Sequence, residues 1–234
     1  MLILGHRGAR AKAPDNTVAA FAAALRAGAA GSEFDVRLAA DGMCVCAHDA
    51  SLPDGRRICD VAAAEILAMN VEGPHGSREP FASLEDALRS ISGAVVIAEI
   101  KNHPWDPCYD ATHALAAAVA EALQPDSIVA CFDPASLDRV RELRTDLRTA
   151  VTTGAAFDPS ANLAAAIEGG HEICSVEHEA ITEEFVRRAH DADREVYAWA
   201  TDEPGRVHAL KAMGVDALMC DDPGRALAAL AENR

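Results

Sequence analysis

The sequence lacks a basic surplus, and this absence narrows its function before any motif is considered. Its 21 Lys and Arg residues are outnumbered by 37 Asp and Glu residues, which gives a formal net charge of −16. Such a charge repels phosphate backbones and anionic lipid unless a local basic pocket or a metal ion intervenes. We therefore expect no nucleic-acid partner.

The sequence also lacks an apolar stretch that could cross a bilayer. The Ala-rich segment 111–123 is interrupted by His113 and Glu121, whereas a spanning helix needs about 20 predominantly apolar residues. The opening residues MLILGH have no basic region before them and no small-residue cleavage site after them, so they do not look like a signal peptide. We expect a cytoplasmic protein without a membrane anchor. Its oligomeric state stays open, a homo-oligomer included.

Closely spaced cysteine pairs are absent too. The chain has seven cysteines, and none belongs to a Cys-x-x-Cys motif, the spacing that commonly supplies zinc ligands. Several lie inside apolar runs: Cys44, Cys46, Cys131, Cys174 and Cys220. We therefore expect reduced core cysteines rather than a zinc site.

What the sequence does contain is a regular alternation of strand-length apolar runs with helical patterns. Its length fits one large domain. Eight runs are strand candidates: 2–6, 32–38, 94–100, 127–132, 148–152, 172–177, 195–200 and 215–220. The alternation predicts parallel strands joined by helices, and eight units without a long linker favour a closed (β/α)8 TIM barrel over an open doubly wound sheet.

Two features depart from this alternation. The apolar run 43–47 follows Asp41-Gly42, a strong hairpin-turn dipeptide, and so predicts an extra antiparallel strand. Residues 49–82 are rich in Pro and Gly and form an irregular insertion after the second strand, with one short helix near 61–69. We predict a single barrel domain over residues 1–234 that includes this insertion.

Polar residues close the strands where a parallel barrel carries its active site, at the carboxyl-terminal ends. They occupy four successive strands: His6, Arg7, Glu33, Asp35, His48, Glu99 and Lys101. A spacing of two residues places Glu33 and Asp35 on one strand face. With Glu99 they form a carboxylate cluster that is costly unless a cation compensates it. Oxygen ligands select a hard divalent ion, Mg²⁺ or Ca²⁺, with Mn²⁺ also compatible.

The remaining polar residues indicate phosphodiester chemistry. His6 and His48 end different strands, which suits a base and an acid on opposite sides of a reacting group. Arg7 and Lys101 supply positive charge, and a guanidinium can bind phosphate bidentately. Each feature alone has a structural alternative, such as an exposed face of the second strand paired with Arg37. Four polar clusters at four successive strand ends share no such cause.

These residues resemble the glycerophosphodiester phosphodiesterase family. The resemblance is carried by GHRG at 5–8, PDNTVAAF at 14–21, E-x-D-V at 33–36, HD at 48–49 and EIK at 99–101, and continues more weakly to GVDALMCDDP at 214–223. It implies a (β/α)8 barrel. It also implies roles for the seven residues: general base His6, general acid His48, metal ligands Glu33, Asp35 and Glu99, and phosphate contacts Arg7 and Lys101.

The activity implied by the resemblance is metal-dependent hydrolysis of a small phosphodiester to sn-glycerol 3-phosphate and an alcohol, within glycerol and lipid metabolism. Two alternatives stay open. One is a related phosphodiesterase of the lysophospholipase D type, and the other is a pseudoenzyme that binds glycerophosphodiesters without cleaving them. The sequence fixes neither the leaving alcohol nor the resident cation, nor whether water or the glycerol 2-hydroxyl attacks.

Overall fold

A closed barrel of eight parallel strands forms the centre of the molecule. The structure, a computed structural model, describes residues 1–154 and 156–232. The barrel strands, in spatial order, are β1 (Leu2–His6), β2 (Gly31–Leu38), β6 (Val95–Ile100), β7 (Ile128–Cys131), β8 (Arg148–Thr153), β9 (Ile173–Glu177), β10 (Glu195–Trp199) and β11 (Ala217–Cys220). The sheet closes because Gly5 of β1 pairs in parallel with Ser32 on one side and Cys220 on the other. The predicted TIM barrel is confirmed.

Nine α-helices are described, and those that follow barrel strands pack around the outside. They are α1 (Val18–Arg26), α2 (Ala63–Ile66), α3 (Leu84–Ser90), α4 (Ala114–Ala122), α5 (Pro134–Leu143), α6 (Pro159–Gly169), α7 (Glu183–Asp191), α8 (Pro204–Met213) and α9 (Pro223–Ala231). In α5, α6, α8 and α9 an acidic residue caps the first turn and a proline follows it at once, a sequence that favours helix initiation. Within the described residues, no helix has the length and apolar character needed to cross a bilayer.

Of the two features that depart from the strand–helix alternation, the extra strand is confirmed, and the insertion contains more regular structure than the sequence predicts. The extra antiparallel strand is present as β3 (Cys44–Cys46), which pairs with β2. The short helix predicted near 61–69 is confined to the single turn of α2, whose first amide is held by the Asp41 carboxylate. After it comes an unpredicted antiparallel hairpin of β4 (Asn70–Glu72) and β5 (Arg78–Pro80). Strands of three residues are too short to give an alternating pattern in the sequence.

Apolar side chains fill the barrel interior. They come from all eight strands except β2 and include Leu4, Ile97, Ile128, Ile173, Tyr197 and Met219. A larger apolar layer lies between the strands and the surrounding helices. Because the interior is packed rather than hollow, polar side chains gather at the strand ends.

Two of the seven cysteines contradict the prediction that the cysteines are reduced core residues. Cys59 of the insertion and Cys108 of the loop after β6 form a disulfide, with their Cα atoms 5.7 Å apart. The other five are free, four of them buried and Cys44 partly buried. The sequence could not pair Cys59 with Cys108, because 49 residues separate them and only the fold brings their loops together.

Candidate active site

The predicted site residues gather at the carboxyl-terminal end of the barrel around a small cavity of about 60 Å³. Six of the seven line it: His6, Arg7, Glu33, His48, Glu99 and Lys101. The seventh, Asp35, is 1% exposed and packs against Arg7 and Lys101. Five further side chains, most of them apolar, complete the wall: Ala130, Phe132, Ser175, Trp199 and Met219.

Three carboxyl groups converge beneath this cavity. Glu33, Asp35 and Glu99 each offer an oxygen, and these atoms lie within 4.8 Å of one another. The parallel register of β2 and β6 accounts for this, because it places Asp35 directly beside Glu99. Glu33 Oε2 accepts a hydrogen bond from the Arg7 backbone amide at 2.9 Å. The buried Glu33 Oε1 has no hydrogen-bond partner among the described residues.

The side chains of Lys101 and Arg7 lie against the three carboxyl groups, and their positive charges act mainly on the pKa of Asp35. Lys101 Nζ is 2.8 Å from Asp35 Oδ1 and also contacts Glu99. Arg7 Nε is 3.1 Å from Asp35 Oδ2. Burial alone would raise the pKa of Asp35, but Lys101 and Arg7 outweigh it and hold that pKa well below its usual range. Burial and then the charges of Asp35 and Glu99 raise the pKa of Glu33 well above its usual value.

Asn16 supports Asp35 from the loop after β1. Its Nδ2 donates to Asp35 Oδ2 at 2.8 Å, and its Oδ1 accepts from the Asp35 backbone amide at 2.9 Å. Asn16 has a φ of 57°, in the left-handed region that asparagine tolerates better than most residues. Asn16 belongs to the PDNTVAAF motif, but no spacing in the sequence links it to Asp35. The next residue, Thr17, caps α1, and its side chain accepts a hydrogen bond from the Ala20 amide.

His6 is held by a residue that the sequence did not single out. Its Nδ1 is 2.7 Å from Asp221 Oδ1, at the end of β11. Burial would raise the pKa of Asp221, but its hydrogen bond with His6 and the charge of that ring lower it. Because Nδ1 is engaged, Nε2 is the ring nitrogen left for chemistry in the cavity. Asp221 belongs to the segment GVDALMCDDP, which resembles the family only weakly. Nothing in the sequence links this segment to His6.

His48 lies beyond β3, on the more open side of the cavity. Its Nδ1 is 2.8 Å from Asp49 Oδ1. Burial lowers the pKa of His48, although Asp35 and Asp49 oppose that shift. The backbone carbonyl of His48 accepts hydrogen bonds from the Arg37 guanidinium. Arg37 therefore does not pair with an exposed Glu33 and Asp35, as the structural alternative required, since both of those carboxylates are buried.

Two wider depressions flank the central cavity. One, of about 470 Å³, lies between Arg7, His48 and the insertion. The other, of about 610 Å³, opens from His48 toward the loop after β6, where His103 stacks on Trp105 with ring centroids 5.3 Å apart. Both depressions meet the central cavity at His48, which lines all three.

The chain is similar to known proteins over most of its length. The model of the glycerophosphoryl diester phosphodiesterase family matches residues 6–225. A Bacillus subtilis (strain 168) protein provisionally assigned as a glycerophosphodiester phosphodiesterase is 27% identical over 237 residues, which cover 95% of this chain and 95% of that protein.

Solved structures share the fold. The crystal structure of a Silicibacter pomeroyi DSS-3 protein, provisionally assigned to the same activity, superposes with a TM-score of 0.87 at 25% identity, over 99% of this chain and 93% of that one. An Oleispira antarctica phosphodiesterase, solved with the product sn-glycerol-3-phosphate, has a TM-score of 0.86 at 22% identity, over 99% and 97% of the two chains.

Proposed function

This chain belongs to the glycerophosphoryl diester phosphodiesterase family. We propose that it hydrolyses glycerophosphodiesters to sn-glycerol 3-phosphate and an alcohol. It is an enzyme of the phosphoric diester hydrolase class, and we assign the activity to one barrel domain over residues 1–234. The observation that carries the proposal is the meeting of His6, His48 and three convergent carboxylates at one cavity.

We assign one divalent cation to Glu33, Asp35 and Glu99. The donor set fits a hard ion because it consists of carboxylate oxygens. An unpartnered polar atom supports this assignment: Glu33 Oε1 is buried without a hydrogen-bond partner among the described residues, beside two further carboxylates. Mg²⁺ and Ca²⁺ suit these ligands, and Mn²⁺ is the next candidate. When bound, the cation supplies positive charge to the phosphate oxygens.

Arg7 and Lys101 provide the protein's own positive charge for the phosphate. Arg7 lines both the central cavity and the depression beside the insertion, so its guanidinium faces the place where the diester would lie. Lys101 is 7% exposed and is shared among the carboxylates below and the cavity above. Its ammonium lowers the repulsion within the acidic cluster and presents a remaining N–H to the substrate.

The two histidines move the protons. Asp221 holds His6 Nδ1, which leaves Nε2 to accept the proton of the attacking hydroxyl, whether that hydroxyl belongs to water or to the glycerol 2-position. The attacking oxygen forms a bond to phosphorus as the bond to the leaving alcohol breaks. With water as the attacking group this gives sn-glycerol 3-phosphate directly, whereas attack by the glycerol 2-hydroxyl gives a cyclic phosphate, which a water molecule must then open to yield the same product. His48 donates its proton to the departing alkoxide. An anionic diester in the cavity favours the protonated form of His48, against the lowering effect of burial on its pKa.

An assay of phosphodiester cleavage tests this proposal; it follows glycerol 3-phosphate from glycerophosphodiesters, lysophosphatidate from lysophospholipids, and the free alcohol from both. The purified chain is incubated with a panel of glycerophosphodiesters and lysophospholipids, with Mg²⁺, Ca²⁺ or Mn²⁺ added singly after chelator treatment. We expect release from soluble diesters with at least one of these ions, and loss of release in His6→Ala. Cleavage of lysophospholipids alone would instead support the lysophospholipase D alternative. Saturable binding without turnover for any substrate would support the pseudoenzyme.

A further inference from the structure

Arg37 joins His48 to the loop that follows β6. Arg37 Nε and Nη2 both donate to the His48 backbone carbonyl, at 2.9 and 2.6 Å. The end of the same guanidinium, through Nη1 and Nη2, also forms a bidentate pair with Asp106, at 3.1 and 2.9 Å. The two side chains are only 5% and 8% exposed. One planar group thus connects the site histidine to a carboxylate that is 69 residues from Arg37 in the sequence.

His48 needs such support because the sheet does not extend to it. Strand β3 ends at Cys46, two residues earlier, and the last backbone bond from this segment to β2 is made by the Ala47 amide. The side chain of His48 is 42% exposed. The guanidinium therefore fixes the peptide from which the imidazole projects.

Asp106 is itself held firmly in its loop. Its Oδ1 accepts a hydrogen bond from the Cys108 backbone amide at 2.8 Å. Cys108 is joined by the disulfide to Cys59, and Arg57 of the same insertion donates to the Pro107 carbonyl at 3.3 Å. Two segments outside the barrel ladder, the insertion and the loop after β6, are thus clamped together behind the Arg37 guanidinium.

We propose that Arg37 and Asp106 are positioning residues for His48: their ion pair sets where the imidazole meets the leaving alcohol. The proposal rests on the assignment of His48 as general acid. The proposal predicts a difference between substrates, because a displaced general acid slows cleavage only when the leaving group needs a proton. A purely structural role for the ion pair makes no such distinction between substrates.

The test compares two leaving groups on one glycerophosphoryl core, an alkyl alcohol and 4-nitrophenol. In Arg37→Lys, which keeps the charge but loses the planar fork, we expect kcat for the alkyl diester to fall by about 10²-fold. The nitrophenyl diester needs little proton donation, so its kcat should fall less than about threefold. Asp106→Asn should show the same selectivity, and it provides a second variant if Arg37→Lys does not fold.

Arg144→Lys is a matched control. Arg144 also forms a bidentate pair, with Asp146 at 2.7 and 2.8 Å, and donates to the Ala120 carbonyl at 2.9 Å. It precedes β8, at the end of the barrel opposite the site. Its substitution should leave both kcat values unchanged, and a thermal melt of each variant confirms folding.

His48→Ala, assayed in parallel, separates the two assignments. If it slows the alkyl diester selectively while the folded Arg37 and Asp106 variants slow both substrates equally, positioning is wrong and the acid role stands. If His48→Ala slows both substrates equally, the acid role fails and positioning falls with it.

Discussion

Glu33 and Asp35 lie two residues apart on one face of β2, yet their carboxyl groups have opposite electrostatic surroundings. Asp35 is within 3.1 Å of both Arg7 and Lys101 and is hydrogen-bonded to Asn16. Glu33 Oε1 has no hydrogen-bond partner among the residues described. Accordingly the pKa of Asp35 is lowered, although burial opposes this, whereas burial and the neighbouring carboxylates raise that of Glu33. The protein's own cations thus dominate the surroundings of Asp35, whereas burial and like charges dominate those of Glu33.

The same amide substitution should therefore have different effects at the two positions in metal-free protein. Asp35→Asn leaves two buried cations without their main partner and should lower the free energy of unfolding by ~3–5 kcal/mol. Glu33→Gln removes a like charge and should change it by less than about 1 kcal/mol, or increase it. Urea unfolding in the presence of a chelator measures both. Equal destabilisation would show that the two carboxylates are equivalent.

Added divalent cation should stabilise the wild-type protein and restore activity after chelation. At a metal concentration 100 times the dissociation constant, the gain in unfolding free energy is about 2.7 kcal/mol. Glu33→Gln should lose both the thermal shift and the turnover, because it removes the charge of the carboxylate whose Oε1 has no hydrogen-bond partner among the described residues. Turnover that survives exhaustive chelation would refute the assigned metal site.

The two histidines should behave as one catalytic unit. His6→Ala and His48→Ala should each remove most activity, and the double variant should be hardly slower than either single variant. Independent contributions of ~10²-fold each would instead multiply. Steady-state kcat of the three variants on one alkyl diester measures this, and a multiplicative loss of ~10⁴-fold would contradict a concerted pair.

The contacts that the sequence predicts are those that follow from strand geometry and from the meeting of parallel strand ends. Strand alternation predicts the barrel, and a spacing of two along β2 brings Glu33 and Asp35 to one face, because strand geometry alone determines both. Support for the site comes from distant residues that no spacing rule connects. Asp221 is 215 residues from His6, and Asp106 reaches Arg37 from another loop. Asp221 and Asp106 reach their partners only when the whole barrel has closed.

The disulfide is a further long-range contact, and it should contribute measurably to stability. A disulfide that closes a loop of 49 residues lowers the conformational entropy of the unfolded chain. In the loop-entropy model this raises the free energy of the unfolded state by up to ~4 kcal/mol. Oxidised wild-type protein should therefore unfold at higher urea concentration than the same protein with a dithiol reductant. The double variant Cys59→Ser with Cys108→Ser should match the reduced protein and should not respond to the reductant. Unfolding midpoints that do not depend on the reductant would contradict this contribution.

Substrate capture should depend on short contacts rather than on the overall field. The net charge of −16 repels an anionic diester at long range, so binding must come from the cation site, Arg7 and Lys101. Arg7→Lys keeps the charge but loses the bidentate fork, and it should still lower kcat/KM. Inert salt screens interactions beyond a Debye length of about 8 Å at physiological ionic strength. With saturating metal, rising salt should therefore leave kcat/KM level or raise it modestly. A steep fall would mean that long-range attraction draws the substrate in, because only such attraction would be lost on screening.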